Sequence, residues 1–82
     1  MIYKVELKPG AIKDLQSLPR DATKQLLSKI EALENDLVGD VKRLTNITPE
    51  YRLRVGRYRV LFEIERDRVV IYRIVHRKEA YR

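Results

Sequence analysis

Two alternating runs, Tyr51 to Val55 and Tyr58 to Glu65, are separated by only Gly56-Arg57. A two-residue connection containing glycine predicts a tight antiparallel hairpin, with its register set by the turn. Residues two apart on a strand share a face, so Leu53 and Val55 point into a core while Arg52 and Arg54 point away from it. On the partner strand Tyr58, Val60, Phe62 and Ile64 share one face, and Arg57 and Arg59 the other. Pairing through the turn then brings Arg52, Arg54 and Arg59 together on one open face.

The rest of the chain is organised around that hairpin. Ile2 to Leu7 alternates as a half-buried strand, and Lys8-Pro9-Gly10 stops it. Pro9 suits the first turn of a helix, where its missing N–H would be unpaired anyway. Ala11, Ile12, Leu15 and Leu18 then recur at helical spacing until Pro19 ends the segment. A second helix is predicted from Asp21 as N-cap, with Leu26, Ile30, Leu33 and Leu37 in one stripe and Gly39 as the C-terminal cap. After Gly39 the period changes. Val41 to Leu44 is a candidate short edge strand, and Asn46 to Pro49 reads as a loop. Glu65 to Arg68 forms a second polar turn, and Val69 to Val75 is nearly all apolar, as expected inside a sheet. The expected architecture is α+β, in the order β-α-α-β-β-β. The sheet is mainly antiparallel, with two helices on one face. Eighty-two residues form one domain, 1–82.

Charge is divided unevenly along the chain. Residues 1–40 hold 6 Lys/Arg against 7 Asp/Glu, whereas residues 41–82 hold 12 against 5. The cationic half is the half that contains the hairpin, which points to a phosphate-bearing partner. Guanidinium groups there offer planar, bidentate contacts and keep their charge at physiological pH. The structural alternative is a solvated outer face of a half-buried hairpin. Absence of cysteine removes disulfides and thiolate metal sites, and suits a reducing compartment. No apolar run approaches the ~20 residues of a membrane span. A cytoplasmic protein with no membrane partner is expected.

The usual catalytic groupings are missing. His76 is the single histidine and cannot form the paired acid and base of a two-histidine ribonuclease. As one histidine at a strand end, it reads first as a hydrogen-bonded structural residue. There is no metal-ligand spacing, no glycine-rich phosphate loop before a helix and no nucleophile elbow. Neither a metal nor a small-molecule cofactor is expected. Tyr81, near the end of the basic stretch His76 to Arg82, is either a packing anchor or a hydroxyl offered to a ribose. The residues alone thus give a phosphate-binding α+β domain without a reaction.

Lys42-Arg-Leu, Tyr51-Arg-Leu-Arg-Val-Gly-Arg-Tyr-Arg-Val-Leu-Phe-Glu-Ile and Val69-Val-Ile-Tyr together with Val75-His-Arg-Lys-Glu-Ala-Tyr-Arg82 resemble the RelE/ParE superfamily of bacterial and archaeal toxins. The resemblance covers essentially the whole chain, and it implies a toxin neutralised by a cognate antitoxin. The RelE branch is implied to cleave messenger RNA in the ribosomal A site, and the ParE branch to poison DNA gyrase. Arg52 and Arg54 match positions where the RNA-cleaving branch places basic residues. Arg59 matches the arginine at the scissile phosphate, and Arg77 the second catalytic arginine, with Lys78 as its substitute if the tail is shifted by one residue. Tyr81 matches the tyrosine that activates the attacking hydroxyl. Arg57, with Arg52, Arg54 and Lys78, is assigned to RNA phosphate. A basic hairpin together with a tyrosine-bearing tail favours the RNA-cleaving branch. Val75 before His76 departs from relatives that carry glycine there.

The resulting expectation is a metal-independent endoribonuclease that acts on messenger RNA at the ribosome. The alternatives are a gyrase inhibitor and an inactive basic module that binds nucleic acid.

Overall fold

The computed structural model describes residues 2–44 and 48–79. Its elements are β1 (Lys4–Leu7), α1 (Pro9–Gln16), α2 (Arg20–Ala32), β2 (Val41–Arg43), β3 (Tyr51–Val55), β4 (Tyr58–Glu65) and β5 (Arg68–His76). The candidate edge strand after Gly39 is therefore a true strand, the fifth of the sheet. Spatial order is β1-β5-β4-β3-β2. β1 runs parallel to β5, and the remaining pairs are antiparallel. β5 thus has a neighbour on both sides, which accounts for its apolar run. Both helices lie on one face of the sheet, in the α+β arrangement that the residue pattern predicts. None of the described helices is long and apolar enough to cross a membrane.

Local signals explain the starts of the helices better than their ends. α1 begins at Pro9 as expected, but stops at Gln16 rather than running to Leu18. The Ser17 and Leu18 amides turn back to the Asp14 and Leu15 carbonyls, and the Ser17 hydroxyl also donates to Asp14 O. These short-range bonds tighten and close the last turn. α2 begins one residue before Asp21, with extended Pro19 at its N-cap. The Pro19 carbonyl accepts the Thr23 amide, so Asp21 sits inside the first turn, where it favours the positive end of the helix dipole.

The far end of α2 differs more from the sequence reading. The helix stops at Ala32 with Leu33 as its cap, and Asp36 and Leu37 both adopt left-handed backbone. Leu37 is therefore not part of the helical stripe, and Gly39 is not the helix cap. The cause is tertiary: the Tyr3 amide donates to the Glu34 carbonyl at 2.9 Å, and Ile2 bridges Asn35. Drawing this segment toward β1 unwinds what local periodicity would have continued. Gly39 serves a packing purpose instead, since a Cβ there would lie 2.8 Å from Leu53 Cδ1.

The core lies between the helices and the sheet. Ala11, Leu15, Leu26, Ile30 and Leu33 meet Leu53, Val55, Val60, Phe62, Val69, Ile71 and Ile74. Burying a large apolar side chain of this kind contributes about 1.5–3 kcal/mol. Between Leu61 and Phe62 the β4–β5 register jumps, leaving Tyr72 as the extra residue of a bulge. Just beyond it, Arg73 reaches Asp14 of α1. Asp14 accepts from Arg73 Nε at 2.7 Å, from Arg73 Nη2 at 3.1 Å and from the Ile74 amide at 2.8 Å. This one carboxylate fastens α1 to the bulged part of β5.

Candidate nucleic-acid interface

The Gly56-Arg57 connection fixes the geometry of the cationic face. Gly56 has φ 55°, a conformation that costs glycine little, and Val55 pairs with Tyr58 across a two-residue turn. Register then sets Arg54 directly opposite Arg59, and Arg52 opposite Leu61. Because Leu53, Val55 and Val60 fill the core, these arginines lie on the face away from the helices. The Arg54 amide donates to Asp40 O at 2.9 Å rather than to β4. Arg54 and Arg59 are therefore a non-hydrogen-bonded pair, the kind whose side chains stand closest.

Each cation has a distinct setting. Arg59 is 8% exposed and lies back over the turn, donating from Nη1 to Gly56 O at 3.0 Å and to Tyr58 O at 2.9 Å. Those neutral acceptors fix its position but leave its charge uncompensated. Arg54 is exposed beside it. Among the described residues no carboxylate forms an ion pair with Arg54, Arg57, Arg59, Arg77 or Lys78. Arg52 behaves differently from its expected role as a free phosphate ligand. Its side chain is 13% exposed and its Nη1 lies 3.3 Å from Asp40 O and 3.6 Å from Asp40 Oδ1, with its buried Nε unpartnered.

The stretch after β5 begins at the same end of the sheet. The Arg77 amide donates to the Arg57 carbonyl at 2.7 Å, placing its backbone beside the hairpin turn. Lys78 and Glu79 follow in a turn, in which the Glu79 amide returns to His76 O. His76 pairs with Tyr58, so it belongs to the face of Val60 rather than that of Arg59. Its ring meets Tyr58 edge-on at 6.0 Å, and its Nδ1 accepts the Lys78 amide at 3.2 Å. His76 holds the turn and stands apart from the arginine cluster. Tyr81 lies outside the described residues.

Two residues join the face without having been assigned to it from sequence. Lys42 on β2 pairs with Arg52, which extends the cationic row to the sheet edge. Asp40 supplies the carbonyl shared by the Arg54 amide and the Arg52 guanidinium. Alternation in β2 is the only local signal for either, and three residues are too few to fix a register. Among the described residues no group of His, Cys, Asp and Glu could hold a metal ion. What the face can do chemically is gather phosphate oxygens around Arg54 and Arg59, with Arg57 and Arg77 nearby.

A five-stranded α+β domain with a cationic outer face and a basic stretch after its last strand is of the kind found among small toxins paired with antitoxins. The ParE toxin family of type II toxin–antitoxin systems, parDE, matches residues 5–81. Toxin RelE3 of Methanocaldococcus jannaschii is 35% identical over 95% of this chain and 94% of its own length. The archaeal RelE–RelB complex of Pyrococcus horikoshii matches with a TM-score of 0.79 at 30% identity, covering 98% of this chain and all of that one. The RelB–RelE antitoxin–toxin complex of Methanococcus jannaschii gives 0.76 at 30% identity, over 93% and 94%. The chain belongs to the RelE/ParE superfamily. It is a RelE-like toxin of a toxin–antitoxin system, and a cognate antitoxin is its partner.

Proposed function

We propose that this toxin is an endoribonuclease that cleaves messenger RNA in the ribosomal A site. The observation that carries the reading is the uncompensated Arg54–Arg59 pair, with Arg77 anchored at the same end of the sheet. Like charges set opposite one another destabilise a sheet, and a phosphate bound between them would remove that penalty.

In the proposed step the RNA 2′-oxygen attacks the adjacent phosphorus, forming a 2′,3′-cyclic phosphate as the bond to the 5′-oxygen breaks. The proton leaves the 2′-hydroxyl to Tyr81, and the departing 5′-oxygen takes a proton from solvent. Neither a metal nor a covalent enzyme intermediate takes part. Negative charge grows on the phosphate oxygens, so pre-positioned cations stabilise the transition state more than the ground state. Arg59, already fixed by the Gly56 and Tyr58 carbonyls, and Arg77 take that role. Arg54 and Arg57 hold flanking phosphates, with Lys78. Arg52 joins them once it exchanges Asp40 for RNA. A phenol has a reference pKa of ~10 and needs neighbouring cations to act as a base. Much of the acceleration therefore comes from the ribosome holding the message in line.

A gyrase-inhibitor reading is favoured by one observation, the match to the ParE family. The RelE names of the relatives favour the nuclease. Controlled expression of wild type, Arg59→Ala and Tyr81→Phe, with mapping of message 5′ ends, separates the two. Codon-phased cuts lost in both variants support the nuclease; intact messages with DNA breaks support gyrase poisoning.

A further inference from the structure

Among the described residues, the outer face of the sheet carries one aromatic side chain, Tyr72, and the cleavage step does not use it. Ile71 and Ile74 both fill the core although they are three residues apart, which regular alternation forbids. The bulge between them resolves this, and its extra residue, Tyr72, is turned outward. Two observations fix that direction. Tyr3, Tyr51 and Tyr58 pack against the core cluster, whereas half-buried Tyr72 stands outside it. Lys8, which follows core-facing Leu7 and so belongs to the outer face, holds its Nζ 5.7 Å from the Tyr72 ring centroid.

Tyr72 completes a row that crosses the sheet. Lys42 on β2, Arg52 on β3 and Leu61 on β4 are in register, and the bulge sets Tyr72 beside Leu61, with Lys8 beyond it. The adjoining row, nearer the hairpin turn, is Arg54, Arg59 and Val75. Strand spacing and rise put Tyr72 about 8–10 Å from Arg59, backbone to backbone. A base reaches that far from the phosphate of its own or the next nucleotide. Toward the other end of the sheet, Glu63 and Glu6 flank Val70, and their charge turns phosphate away. A strand held at Arg59 is therefore directed along the Leu61–Tyr72 row.

We infer that Tyr72 is a stacking platform for an unpaired base of the bound RNA, next to the phosphate held by Arg54 and Arg59, with Lys8 on the following phosphate. This deepens the nuclease reading and rests on its placement of RNA on the outer face. Single-stranded RNA is recognised by cations that track its backbone and by aromatic rings against which its bases lie. Lys8 is within cation–π reach of the ring and has no carboxylate partner among the described residues, so it orders the phenol while keeping its charge for phosphate. Stacking strength then biases which base is accepted, a preference that arginines bound to phosphate cannot supply.

The test uses the toxin and two 2′-O-methyl oligoribonucleotides of equal length, one bearing bases and one abasic, in fluorescence anisotropy over a salt series. The methyl group blocks the attacking hydroxyl, so binding is read without cleavage. Wild type is expected to bind the base-bearing strand about fivefold or more tighter than the abasic one. Tyr72→Leu should abolish that difference without changing the salt slope, and Tyr72→Phe should keep it. Lys8→Gln should lower the slope by about one contact. Equal binding of the two strands by wild type overturns the proposal with no variant needed. So does a Tyr72→Leu affinity for the base-bearing strand within about twofold of wild type, or an equal loss on both strands, which marks a structural role. Arg59→Ala reports the underlying reading separately. Binding that persists unchanged in Arg59→Ala removes RNA from this face and overturns both claims, whereas Arg59-dependent binding without a base effect overturns the role of Tyr72 alone.

Discussion

Arg54 on β3 and Arg59 on β4 stand directly opposite each other, and no carboxylate pairs with either among the described residues. The two differ in freedom. Arg59 is fixed by backbone carbonyls of the turn, whereas Arg54 is exposed. A fixed cation beside an adaptable one suits a ligand whose charge grows at one point during reaction.

Removing the adaptable member should stabilise the fold while harming the site. Arg54→Ala is expected to raise unfolding free energy by about 0.2–1 kcal/mol, the usual scale of cross-strand pair terms. Urea denaturation reads this directly. A loss of stability instead would show that Arg54 is already compensated.

Binding to single-stranded RNA should weaken steeply with salt. Each phosphate contact contributes about 0.7 to the slope of log K against log salt. Arg54→Ala is expected to lower that slope by about one such contact, and Lys24→Ala on α2 to leave it unchanged. Fluorescence anisotropy over a salt series measures both.

Acid should loosen the Asp14 clasp. Burial alone would raise its carboxyl, but the Arg73 hydrogen bond, the Ile74 amide and the charges of Arg73 and Lys13 outweigh it and hold the group below the usual carboxylate range. A depressed folded-state pKa contributes stability that is complete above the unfolded value and is lost as pH falls through the folded one. Asp14→Ala should therefore cost about 2 kcal/mol near neutrality, with the difference from wild type shrinking in acid. Thermal melts from neutral pH to strongly acidic buffer follow both curves.

Asp40→Asn should separate binding from stability. The Asp40 carboxylate is 58% exposed and its closest approach to Arg52 is 3.6 Å, so its loss should cost less than about 1 kcal/mol. The carbonyl contacts to Arg52 and Arg54 remain. RNA binding should tighten as Arg52 is released, read in the same anisotropy assay. Weaker binding would mean that Asp40 positions Arg52 for its ligand.

The hairpin, and with it the shared face of Arg52, Arg54 and Arg59, could be read from sequence because alternation and Gly56 are local signals that agree. The end of α2 could not, because the bond from Tyr3 to Glu34 joins segments far apart in the chain. The Arg52–Asp40 contact was hidden for a similar reason: it depends on how β2 pairs with β3, and no local pattern fixes that. His76 was legible in kind, as a structural histidine, but its side of the sheet depended on the β4–β5 register. That register contains the bulge at Tyr72, which no turn residue announces.

The parallel pairing of β1 with β5 has a consequence for how the toxin comes into being. The first strand must wait for β5 before its inner edge is satisfied, so the sheet closes only once Arg68–His76 is available to pair. Until then the hairpin arginines are attached to an unfinished platform. Harmful activity should therefore switch on as one late event, and a chain cut short before Arg68 should be inert.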